Sequence, residues 1–158
     1  MDLILWRHAE AGDHLEDPAA DLERALSPKG ERQARRVADW LNQFLPDSAR
    51  VLTSPALRCQ QTVAALGRRV KKTPALGPEG DVEGLLAATR WPDSREAVLV
   101  VGHQPTLGRV AAYLMAGESA RFGDPWAIKK GSVWWLRHRP REGRAEVQII
   151  AVRTAEGL

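Results

Sequence analysis

The chain has 158 residues, 44% of them hydrophobic and 27% charged, a balance that suits one globular domain spanning 1–158 with a core of its own. Its lone cysteine, Cys59, excludes an internal disulfide and any multi-cysteine zinc site and fits a reducing compartment. The net charge is +3 and the isoelectric point ≈ 9.4, but the basic residues are scattered and have no interleaved aromatics, so no nucleic-acid partner is expected. They read as solvated faces or as a weak field for anionic substrates.

Leu3 to Trp6 is an apolar run, read as a strand buried on both faces. It lacks the basic leader and length of a signal peptide, and no stretch approaches the ~20 apolar residues of a membrane span. A soluble, cytoplasmic protein with no membrane partner is expected. Residues 9–26 read as a loop with room for a short helical turn. Ser27-Pro28 opens a helix, Ser as cap and Pro in the first turn. Ala34, Val37, Ala38, Leu41 and Leu45 then follow at helical spacing until Pro46.

Val51 to Thr53 reads as a second strand, and Ser54-Pro55 repeats the cap-plus-proline start of a helix that stops at Gly67. A third strand is expected within Val70 to Leu76, and Asp81 caps a helix through Val82, Leu85 and Leu86. Ala97 to Val101 is the clearest strand, and a helix from about Thr106 to Met115 follows it, stopped by Gly117. Ser132 to Arg137 and Ala145 to Val152 read as a hairpin at one end of the sheet. The alternation of strands and helices predicts an α/β layer structure.

Three strands thus end at a polar residue just before a helix: Trp6-Arg7-His8, Thr53-Ser54-Pro55 and Val101-Gly102-His103. Ligands of open α/β sheets bind beyond the carboxyl ends of parallel strands. Parallel neighbours would therefore bring His8, His103 and Arg58 to one edge beside Arg7. The expected set is two histidines and two arginines with no carboxylate. Guanidinium groups keep their charge and match phosphate oxygens bidentately, while two arginines would repel a metal ion. A neutral imidazole in such a pocket can act as a nucleophile, with the cationic groups stabilising the transferring phosphoryl.

These segments resemble the histidine phosphatase superfamily, the phosphoglycerate mutase-like fold. Arg7-His8-Ala9-Glu10-Ala11 resembles its signature. Ser54-Pro55-Ala56-Leu57-Arg58-Cys59-Gln60-Gln61-Thr62 and Val101-Gly102-His103-Gln104-Pro105 resemble its second and third motifs. Their order and spacing, together with Leu26 to Gly30 and Leu76 to Val82, resemble the short SixA-type phosphohistidine phosphatases. The resemblance implies His8 as nucleophile, with Arg7, Arg58 and His103 as the phosphate-binding core. It also implies a three-layer α/β/α sandwich around a mostly parallel sheet, and neither metal nor cofactor.

Larger members of the superfamily carry an acidic proton donor in an inserted segment that this chain lacks. Glu79 is carried as the candidate donor, beside Asp81. Asp81 could equally cap its helix, and Glu79 could be solvated. An imidazole leaving group needs less help from an acid than an alkoxide does. The expected partner is therefore a phosphorylated histidine-containing protein. A small phosphorylated metabolite and a non-catalytic phosphate-binding module are the alternatives. A monomer is expected, since no coiled coil or exposed apolar helix is legible. His14 is read as a loop residue, His138 as surface, Ser54 as a cap and Cys59 as core. Glu10 is read as lining the mouth or pairing with an arginine.

Overall fold

The computed structural model describes residues 1–158. Its frame is one six-stranded sheet of order β3-β2-β4-β1-β5-β6, comprising β1 (Asp2–Arg7), β2 (Arg50–Thr53), β3 (Lys71–Lys72), β4 (Val98–Gly102), β5 (Val133–Arg141) and β6 (Arg144–Arg153). β3, β2, β4 and β1 run parallel, and β5 and β6 add an antiparallel hairpin at one edge. The hairpin turns on Glu142 and Gly143, both with positive φ (50° and 75°), the backbone sense that matches strand twist in two-residue turns.

Alternation along the strands builds a core on each face. Ile4, Trp6, Leu99 and Val101 pack with Val37 and Leu41 of α2 (Pro28–Phe44) and Val63 of α3 (Leu57–Ala64). Leu3, Leu5, Val98 and Val100 pack with Leu85 of α4 (Val82–Thr89) and Leu107 and Val110 of α5 (Thr106–Ala116). The result is the three-layer α/β/α sandwich expected from sequence. It also explains why the central strands read as unbroken apolar runs: water touches neither face. No helix is long and apolar enough to cross a membrane.

The third strand expected within Val70 to Leu76 is present as Lys71–Lys72, and Pro74–Leu76 winds into a 3-10 turn that buries Leu76. One local expectation is corrected. Ser54 does not cap α3, which starts at Leu57 after Ala56 with no side-chain cap. The Ser54 hydroxyl accepts from the Ala56 amide (3.1 Å) and turns toward His103. Ser27 and Asp81 do cap as expected, accepting from the amides of Gly30 (3.1 Å) and Gly84 (2.8 Å). The loop after β1 contains a short helix, α1 (Pro18–Leu22), capped by Asp17.

Candidate active site

The ends of three parallel strands set the site. Arg7 of β1 is in register with Gly102 of β4, and Thr53 of β2 with Val101. Pairing continues past the strand: the His8 amide donates to Gly102 O (3.1 Å), and the Gly131 amide donates to His8 O (3.0 Å). The backbone under His8 is therefore held from both sides. Strand alternation carried past the strand ends places His8 with Ile4 and Trp6, and His103 with Leu99 and Val101, toward α3. The two rings accordingly face each other, with centroids 5.4 Å apart and planes at 57°.

Arg58, in the first turn of α3, joins them. Its Nη2 lies 3.4 Å from His103 Nδ1, and its Nη1 donates to the carbonyl oxygen of Asp21 (2.8 Å). Arg7 donates from Nη1 to Ile128 O (2.8 Å). His8, Arg58 and His103 are all buried. The four residues expected to form the core thus converge.

Hydrogen bonding fixes the ring protons. His8 Nδ1 lies 2.8 Å from Ala9 O. A carbonyl only accepts, so the proton sits on Nδ1 and Nε2 presents a lone pair. A guanidinium only donates, so His103 Nδ1 accepts and its Nε2–H donates to Ser54 Oγ (2.8 Å). Burial is the main cause that lowers His8 from 6.5 to about 4. The Ala9 bond opposes that fall, and the charges on Arg58, Arg7 and Arg24 add to it. His103 falls to about 3, by burial first and then by His8, Arg58 and Arg7, with Asp21 opposing. Both rings are neutral near pH 7.

The guanidiniums are themselves short of partners. Burial lowers the pKa of both Arg7 and Arg58, and the Nε atom of each is buried without a hydrogen-bond partner. Buried unpaired donors are costly, and a tetrahedral oxyanion supplies the acceptors they lack. The donor set suits an anion, and no cluster of three or more histidine, cysteine or acidic side chains is placed to hold a metal ion.

Sequence reasoning missed a carboxylate. Asp21 of α1 is buried, and its Oδ2 lies 3.4 Å from Arg58 Nη2, which corrects the expectation of a carboxylate-free set. Asp17-Pro18 is the same cap-plus-proline signal that marked the helix at Ser27-Pro28, so α1 was findable. Nothing local pointed Asp21 at a residue far along the chain.

The remaining candidates separate. Asp81 caps α4. Glu79 is exposed and shares with Asp21, His14 and Glu16 the lining of a cleft of ≈ 660 Å³ between α1 and the segment before α4. That cleft meets the histidine site only through Asp21, since Arg7, His8, Arg58 and His103 do not line it. Glu10 pairs with no arginine. Its carboxylate accepts from the Ser27 hydroxyl and the Gly12 amide (2.7 Å) and fastens the loop after His8 to the start of α2. His14 is an exposed loop residue, yet its Nδ1 lies 3.3 Å from Asp21 Oδ1. His138 is half-buried and edge-on to Trp91. Cys59 is core, its thiol pushed up to about 12 by burial against the opposing effects of Arg58 and Ser54.

Residues 3–86 match the family model of the histidine phosphatase superfamily (branch 1). The chain belongs to that superfamily. Within it the chain is of the SixA type. It is 35% identical over 128 residues to phosphohistidine phosphatase SixA of Escherichia coli K12, covering 75% of this chain and 77% of that protein. An uncharacterized protein of Picosynechococcus sp. PCC 7002 is 36% identical over 155 residues, covering 94% of this chain and 89% of its own. A solved structure of the protein histidine phosphatase SixA complexed with tungstate superposes with a TM-score of 0.73 at 27% identity, covering 99% of both chains. The matched span includes the Arg7-His8 pair at the end of β1.

Proposed function

We propose that residues 1–158 act as one histidine phosphatase domain that removes phosphate from a phosphohistidine-bearing protein through a covalent intermediate on His8. The observation that carries this reading is the buried, neutral His8 ring, with Nδ1 tied to Ala9 and Nε2 left as a nucleophile beside two arginines. The likeness to SixA supports the substrate class.

In the first step the Nε2 lone pair attacks phosphorus. The bond from phosphorus to the substrate imidazole breaks, and that nitrogen takes a proton from solvent. Arg7, Arg58 and His103 surround the transferring group; the two guanidiniums stabilise its oxygens, and His103 Nδ1 accepts from Arg58 and steadies it. In the second step water attacks the phosphoryl group, the bond from phosphorus to Nε2 breaks, and inorganic phosphate leaves. No step calls for a metal, because the guanidiniums already supply the positive charge.

The test compares kcat/KM on a phosphohistidine-bearing protein domain, on phosphoserine and on a sugar phosphate. The expected preference for phosphohistidine is about a hundredfold or more, the size of the general-acid help that an alkoxide needs and an imidazole does not. Comparable rates on the sugar phosphate would overturn the substrate assignment.

A further inference from the structure

Arg58 is held by one residue at two places. Its Nη1 donates to the backbone carbonyl of Asp21 (2.8 Å), and its Nη2 faces the Asp21 carboxylate (Oδ2, 3.4 Å). That carboxylate is anchored in turn. Its Oδ1 accepts from the Leu15 amide (2.9 Å) and from Arg24 Nε (3.0 Å). Arg24 reaches on from Nη1 to the carbonyls of Ala11 (2.8 Å) and Gly12 (3.2 Å), in the loop that follows His8. The side chains of Asp21 and Arg58 are 7% and 4% exposed. Burial works to raise the Asp21 carboxyl, but the Leu15 amide, Arg24 and Arg58 together hold it down to about 2.

We infer that Asp21 is the positioning residue for Arg58: its carbonyl and carboxylate fix the guanidinium against His103, leaving Nε as the unpartnered donor. The inference rests on the reading of Arg58 as a phosphate ligand. A guanidinium on a flexible stem has many rotamers, and placing it in advance removes that ordering cost from each turnover. Asparagine would remove the negative charge and could turn an N–H group toward the guanidinium. Glutamate would carry the charge one methylene further out. Neither preserves the grip at both Nη atoms.

The test is a double-mutant cycle on the full chain, read as kcat/KM and as the dissociation constant of tungstate, each measured well below the melting temperature of the variant. Asp21→Asn in the wild-type background is expected to lower both kcat/KM and tungstate affinity by about tenfold to a hundredfold, the scale of a slightly misplaced binding group. In the Arg58→Ala background the same change should cost less than about threefold, because the group it positions is gone. A purely structural role would cost the same in both backgrounds. Equal losses, or no loss in the wild-type background, would overturn the inference. If Asp21→Asn does not fold, Asp21→Glu takes its place in the cycle, with the same contrast expected. Wild-type turnover and tungstate binding by Arg58→Ala alone would instead fail the phosphate-site reading, and the positioning role with it.

Discussion

His8 and His103 come from neighbouring parallel strands, and their rings lie 5.4 Å apart with each ring hydrogen-bonded elsewhere, His8 to Ala9 and His103 to Ser54. Burial keeps both neutral, at about 4 and about 3. Long-range 15N NMR of the imidazoles should therefore show His8 protonated on Nδ1 and His103 on Nε2. Neither ring should gain a second proton between pH 8 and about pH 5. Titration of either ring near 6.5 would contradict the burial of the pair.

The same two histidines tie stability to pH. Unfolded, each titrates near 6.5, and folded each titrates well below that. The unfolded chain therefore binds more protons between those limits. Stability is fully present above about pH 6.5 and is lost as pH falls toward about 4. Near pH 5 the slope should be roughly 2–3 kcal/mol per pH unit for two protons. Urea denaturation at a series of pH values measures it, and His8→Asn should remove roughly half of the slope. A flat profile from pH 7 to pH 5 would contradict the burial assigned to the pair.

Cys59 sits beside Arg58 in sequence and 3.5 Å from His103 Nε2, yet burial pushes its thiol up to about 12. It should be a packing residue rather than a nucleophile. Iodoacetamide at pH 8 should leave the native protein unlabelled and modify it only after unfolding. Cys59→Ala should keep phosphatase turnover within about threefold, at a stability cost of about 1 kcal/mol. Rapid labelling of the native thiol with loss of turnover would contradict this.

Gly30 carries the start of α2 against the loop that follows His8. A Cβ there would lie 1.9 Å from Glu10 O, a backbone atom that can retreat only by moving the loop. Gly30→Ala should cost about 1–3 kcal/mol in urea denaturation. Turnover should fall as well, since Glu10 is two residues from His8. A wild-type denaturation midpoint would show that the loop yields freely.

Much of this was legible in the chain. Leu3 to Trp6 and Ala97 to Val101 declared themselves because burial on both faces leaves no polar residue in a strand, and Ser27-Pro28 because cap and proline act locally. Arg7, His8 and His103 were legible through those strands, as the residues that follow their ends. Ser54 was misread because its hydroxyl had two outlets, the helix start and a histidine 49 positions on, and sequence shows only the first. The third strand was legible only as lying somewhere within Val70 to Leu76, because Leu76 is buried by a turn rather than by pairing. Asp21 was invisible because its role lies in contact with Arg58, 37 positions away. A buried ion pair between distant residues leaves no periodic mark.

The most direct test of the central claim is to trap the intermediate. The protein is mixed with a domain carrying 32P-phosphohistidine, quenched in alkali to spare the phosphoramidate bond, and mapped by peptide mass spectrometry. A phosphoryl group is expected on His8 Nε2 and absent from His8→Ala, which should also lose turnover by at least about a thousandfold. Label on another residue, or undiminished hydrolysis by His8→Ala, would contradict it.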